Sequence, residues 1–245
     1  MTAVVVLGAT AGLGRALSRS AAARGFDVAL VGQNPHDLAA EAANLSCRYG
    51  VRTFEITADG SRPAELAATL RGRLAELGEI EALLCPIGLS LTSDDGSIAL
   101  ADAGRLITVN LLSVIAAVRE VVPCLLARRS GVVVGFGSVA AVRGRGANVV
   151  YAAAKRALES YFESLRHQLS GSGVRAQLYR LGYLDTGQTY GKRLLFPKAS
   201  PQLIADKIFA NLERDFGRMT LPRYWSTLTC IVCLIPWAIY RRLRF

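Results

Sequence analysis

Over residues 3–221 short apolar runs alternate with longer segments whose apolar positions recur every three to four residues. Ala3–Leu7 is an unbroken apolar strand that ends on glycine, and runs at 27–31, 51–57, 82–87, 131–136, 174–179 and 219–221 predict six further strands. Helical patterns fall between them, over 15–24, Pro63–Leu77, 101–128 and 150–169, the last closed by Gly171 and Gly173. Asn34 and Pro35 supply an N-cap and a first helical residue for a helix to about Tyr49. Ser200 and Pro201 do the same for a helix to about Phe216, with Ile204, Ile208 and Leu212 on its apolar face. Near-continuous apolar strands separated by helices predict an α/β chain, a parallel sheet covered on both faces and doubly wound. No linker, repeat or low-complexity run divides it, so residues 1–221 are expected to form one domain, followed by an apolar and basic segment, 222–245.

Composition narrows the partners. The chain has 245 residues, 51% hydrophobic and 20% charged, enough apolar material for a full core. A net charge of +10 suits nucleic acid, anionic lipid or a phosphorylated substrate. The arginines are scattered and no basic run is interleaved with aromatics, so no nucleic-acid partner is expected. No basic, cleavable leader precedes the first strand, which predicts a cytoplasmic protein. Cys47, Cys85, Cys124, Cys230 and Cys233 are odd in number and scattered, against a disulfide framework. Cys230 and Cys233 lack a second ligand pair and are expected to pack as small apolar residues; no metal site is predicted.

Two constellations carry chemistry. Gly8, Gly12, Leu13 and Gly14 lie in a glycine-rich turn between the first strand and the first helix. Such a turn lets backbone N–H groups approach a pyrophosphate resting on the helix N-terminus, although it also serves as a plain strand-to-helix connection. Tyr151 and Lys155, four residues apart, share one helix face. A cation beside a phenol favours its ionised form and brings it toward acid–base work near neutral pH. Ser138, thirteen residues before Tyr151 and just beyond the fifth strand, offers a donor to a substrate oxygen. Asn110, polar amid Val109, Leu111 and Leu112, needs a hydrogen-bonding reason.

The glycine turn, Asn110, Ser138, Tyr151 and Lys155 together resemble, in order and spacing, the short-chain dehydrogenase/reductase family over residues 3–221. The resemblance implies a Rossmann-type oxidoreductase. Tyr151 would pass a proton to or from the substrate oxygen, and Lys155 would lower its pKa and bind the nicotinamide ribose. Ser138 would orient the substrate, and Asn110 would hold a water behind Lys155. It further implies that Asp59 contacts adenine and that Thr186 binds the carboxamide, in a segment from Gly182 that is similar to the family's P-G-x-x-x-T. The family's N-N-A-G is here Cys85-Pro86-Ile87-Gly88, keeping only Gly88, and Leu181 stands for the proline.

No acid closes the second strand at Val31-Gly32-Gln33, which inclines the cofactor to NADPH, with NADH the other reading. From 224 to 240 no residue is charged, and Arg241, Arg242 and Arg244 follow. This predicts a monotopic anchor on the inner face of the cytoplasmic membrane, or else an element packed on the core or an oligomer contact. The tail is similar to that of decaprenylphosphoryl-2-keto-erythropentose reductases and related polysaccharide-biosynthesis reductases. Arg143 and Arg145 are candidate ligands for a substrate phosphate, with solvated loop charge the plain alternative. Lys192 and Arg193 would sit in a flexible lid. The expected activity is therefore NAD(P)H-dependent reduction of a keto group on a lipid-linked sugar. The alternatives are a fatty-acyl, steroid or other hydrophobic ketone or alcohol as substrate, or a nucleotide-binding scaffold without turnover. The resemblance also implies a homo-oligomer.

Overall fold

A computed structural model describes residues 2–187, 189–191 and 194–243. Seven strands form one parallel sheet: β1 (Ala3–Leu7), β2 (Asp27–Gly32), β3 (Thr53–Thr57), β4 (Ile80–Cys85), β5 (Val132–Ser138), β6 (Arg175–Leu181) and β7 (Arg218–Leu221). Their spatial order is β3-β2-β1-β4-β5-β6-β7. The order reverses between β1 and β4, which leaves a crevice at the carboxyl ends of the strands.

Alternation along each strand divides the core in two. Val4 and Val6 face one side with Leu30, Leu84 and Val134, under α1 (Gly12–Ala22), α2 (Pro35–Tyr49) and, later in the chain, α7 (Pro201–Phe209). Val5 and Leu7 face the other with Leu83 and Val133, under α3 (Pro63–Leu77), α5 (Ser113–Arg128) and α6 (Val149–Gln168). The doubly wound α/β reading holds.

Several element boundaries differ from expectation. The long helix over 101–128 is α4 (Leu100–Ile107) running into α5 through a π-helical turn, Thr108–Leu112, centred on Asn110. Strand β5 extends to Ser138, so that residue closes the strand instead of following it. Helix α7 stops at Phe209 because the buried Gln177 amide claims the carbonyls of Asn211, Leu212 and Arg214 at 2.7–3.2 Å, and those groups turn away from helical geometry. Ile204, Ile208 and Leu212 still face the core. In the C-terminal segment, α8 (Tyr224–Leu234) and α9 (Trp237–Tyr240) are separated at Pro236, and α8 is too short to cross a bilayer. Trp225, Thr229 and Tyr240 are buried against the body of the protein, whereas Cys230 and Cys233 are exposed and do not pack as expected. All five cysteines are free.

Candidate active site

A cavity of about 790 Å³ opens at the carboxyl edge of the sheet, lined from the ends of β1, β2, β4, β5 and β6. Gly8, Gly12, Leu13, Asp59, Gly88, Ser138, Arg145, Tyr151, Lys155 and Thr186 all border it. Asn110, Gly14 and Arg143 do not, although each was a candidate.

The turn after β1 depends on its glycines. Gly8 and Gly12 have φ of 89° and 48°, which L side chains resist. A Cβ at Gly14 would stand 1.9 Å from the Gly8 carbonyl oxygen, so Gly14 allows α1 to seat on β1 and is not itself exposed to a ligand. A Cβ on Gly12 would lie 3.1 Å from Thr186 Cγ2 across the cavity. Ile87, bulkier than the alanine of the resembled motif, is accommodated because Gly60 lacks a Cβ, which would fall 2.4 Å from Ile87 Cδ1. The Asp59 carboxylate accepts from Ser61 N and Oγ at 2.8 and 2.7 Å, and these bonds hold it below its ordinary 3.8.

Helix α6 carries Tyr151 in its first turn and Lys155 one turn later. Ser138, at the end of the neighbouring β5, borders the same cavity as the Tyr151 phenol. Burial pushes that phenol above its ordinary 10.0, and the Ser138 hydroxyl and the charge of Arg145 draw it partly back. The sequence assigns the lowering of this pKa to Lys155. The Lys155 ammonium stands 6.0 Å from the ring centroid and is itself pushed down to about 8 by burial, and the charge of Arg145 also bears on the phenol. Spacing puts phenol and ammonium on one face, and burial acts on both groups, raising the phenol and lowering the ammonium. Lys155 Nζ donates at 3.4 Å to the Ile87 carbonyl.

Asn110 is fully buried behind Gly88. Its Oδ1 accepts from Leu89 N at 3.2 Å, and its Nδ2 donates to the carbonyls of Leu89 and Leu106 at 2.8 and 2.9 Å. By these bonds it pins the segment that follows β4.

Arg143 is a correction. Its Nη1 donates to the carbonyls of Val232 and Ile235, both at 2.6 Å, so it closes the C-terminal end of α8 and does not face the cavity. Arg145 does face it, and its Nε is buried with no hydrogen-bond partner among the described residues. Lys192, Arg193 and Arg244 lie outside the described residues. Arg105 of α4 also borders the cavity, and nothing in its sequence surroundings marks it. Among the described residues no cluster of three metal-ligating side chains occurs.

These residues fit a dinucleotide. The glycine turn leaves open the space a Cβ would fill, and Lys155 is a buried cation with one long hydrogen bond among the described residues, short of acceptors that ribose hydroxyls would supply.

Comparison with known proteins agrees. A family model described as short chain dehydrogenase matches residues 2–193. The ketoacyl reductase HetN of Nostoc sp. is 27% identical over 210 residues, covering 84% of this chain and 73% of that protein. The 3-oxoacyl-[acyl-carrier-protein] reductase FabG of Escherichia coli is 29% identical over 187 residues, covering 76% and 74%. A short-chain dehydrogenase from Sphingobium yanoikuyae, solved in complex with NADPH, superposes with a TM-score of 0.83 at 24% identity, covering 100% of this chain and 97% of that one.

Proposed function

The chain belongs to the short-chain dehydrogenase family and is an NAD(P)-dependent oxidoreductase; on that premise we propose that it uses NADPH to reduce the keto group of a substrate with a long apolar chain. The observation that carries this reading is the convergence of Ser138, Tyr151 and Lys155 on one cavity that the glycine turn also lines. When bound, the cofactor supplies hydride to the carbonyl carbon. Tyr151 keeps its proton at neutral pH because burial raises its pKa, and it gives that proton to the carbonyl oxygen. Ser138 donates to the same oxygen as negative charge grows there. Lys155 would hold the ribose hydroxyls, and the glycine turn the pyrophosphate. The missing acid after Val31-Gly32-Gln33 supports NADPH over NADH.

An apolar substrate is supported by the ketoacyl reductases among the relatives. It is also supported by the exposed Ile231, Leu234, Trp237 and Ile239 beside Arg241 and Arg242, a surface suited to the anionic inner face of the cytoplasmic membrane. A 3-oxoacyl thioester is the first substrate class. The second, a keto sugar on a polyprenyl phosphate, is favoured by one observation, the unpartnered Arg145 Nε at the cavity wall. Exposed Leu112 and Leu126 on the long helix support a homo-oligomer.

The test is NADPH oxidation with both substrate classes. Tyr151→Phe is expected to lower kcat by about 10²–10⁴, and robust turnover by that variant would sink the reading. Arg145→Ala separates the classes: it raises KM for the phosphorylated substrate and leaves that of the acyl thioester unchanged.

A further inference from the structure

The helix that carries Tyr151 lacks a cap of its own. Asn148, at its N-cap position, has φ 55° and ψ 43°, a left-handed conformation, and its side chain makes no capping bond. The first turn is held instead from another part of the chain. Asp94, in the segment between β4 and α4, is 2% exposed. Its Oδ1 accepts from Val150 N at 3.0 Å, its Oδ2 from Tyr151 N at 2.9 Å, and its main-chain carbonyl from Val149 N at 3.4 Å. One residue therefore satisfies three of the amide groups that a helix N-terminus leaves without partners, and it sets a negative charge against the positive end of the helix.

We infer that Asp94 is a positioning residue for the proposed reduction, fixing where the Tyr151 phenol stands relative to Ser138 by clamping the first turn of α6 from outside the helix. First turns fray when their donors are uncapped, and Tyr151 lies in that turn, whereas Lys155 lies one turn deeper and is held by the helix itself. The clamp reaches the cavity from the other side as well. Gly88, Leu89 and Ser90, which begin the same segment, line the cavity, and Asn110 pins Leu89 by both its N–H and its carbonyl. The segment after β4 is thus tied to the long helix at one end and to the proton donor at the other. Val150 and Tyr151 are only half-buried, so water can replace the two side-chain bonds lost in Asp94→Ala, and the loss falls on geometry more than on folding.

This inference rests on the reductase reading, and the experiment keeps the two apart. In the full chain, Asp94→Ala is expected to lower kcat about tenfold to a hundredfold, since a misplacement near 1 Å at a reacting group has that effect. The Kd for NADPH measured by fluorescence should stay within about twofold, because the interaction removed acts only on the chemical step. Asp94→Asn, which keeps an acceptor oxygen, should recover most of kcat, and Asp95→Ala, on the exposed neighbour, should match wild type. Amide hydrogen exchange at Val150 and Tyr151 should quicken in Asp94→Ala whatever the substrate. The inference is overturned by wild-type kcat and exchange in Asp94→Ala, or by equal losses of kcat, NADPH affinity and Tm that Asp94→Asn does not reverse. If Asp94→Ala does not fold, Asp94→Asn decides by exchange: quicker exchange at whichever of Val150 and Tyr151 loses its acceptor supports the clamp, and wild-type exchange at both overturns it. A wild-type protein that binds NADPH yet reduces no carbonyl refutes the parent reading, and the exchange measurement then still decides for or against the clamp.

Discussion

The Arg143 guanidinium lies 3.9 Å from the centroid of the Tyr240 ring, so a residue from the segment between Ser138 and Tyr151 holds down the far end of the chain. The same guanidinium donates to the carbonyls of Val232 and Ile235. Planarity lets one side chain stack and donate at once, which a lysine cannot reproduce. Arg143→Ala is expected to destabilise the protein by about 2 kcal/mol in denaturant unfolding, from the lost cation–π contact and charge-assisted bonds. Hydrogen exchange should rise over 224–240, and Arg143→Lys should recover less than half of the loss. Unchanged exchange in that stretch would show that the contact does not anchor the tail.

Gly14→Ala places a methyl group 1.9 Å from the Gly8 carbonyl oxygen, so α1 must move off β1. Overpacking of this kind costs about 1–3 kcal/mol. Because the displaced backbone is the proposed pyrophosphate cradle, NADPH affinity should fall more steeply than stability, by about tenfold or more. Isothermal titration together with a melting curve separates the two effects.

Asn110→Ala strips Leu89, half-buried at the cavity wall, of partners for both its N–H and its carbonyl. An unmet buried group costs about 1–3 kcal/mol, and at this half-buried wall a loss of about 2 kcal/mol is expected for the pair. KM should rise as the wall at Gly88–Ser90 loosens. Asn110→Asp keeps the acceptor for Leu89 N but loses the donor to its carbonyl, and should fall between.

Stability should also report on Lys155. Its folded pKa, about 8, is below its ordinary 10.5, so between those values the unfolded chain binds a proton that the native protein does not. Stability therefore rises with pH from about 8. Burial pushes the Cys85 thiol upward from its ordinary 9.0, so above pH 9 the native state holds a proton that the unfolded chain has lost, which opposes the rise. The clean window is pH 8 to 9, with a slope of at most about 1.4 kcal/mol per unit. Lys155→Met should flatten the curve there, and a slope that survives this change would assign it to another group.

Much of the site can be read along the chain. Tyr151 and Lys155 meet because four residues make about one helical turn, and Ser138 joins them because β5 and α6 are consecutive elements of a right-handed crossover. Gly8, Gly12 and Gly14 announce a turn because no other residue tolerates its backbone or its close packing. Arg143 and Arg145 defeat the same reasoning. Two residues apart, with the same charge, they go to different places: one to the carbonyls that end α8, the other to the cavity wall.

Strand and helix order, the parallel sheet and the composition of the catalytic face follow from the sequence by itself, since periodicity and short spacing act between residues close along the chain. Tertiary structure alone decided which charges meet and which protons are held. Asp94 reaches Tyr151 across 57 positions and Arg143 reaches Ile235 across 92, by contacts that depend on how loops close in space. The depressed lysine and the raised phenol arise from burial, and no side chain's desolvation is written in its immediate neighbours.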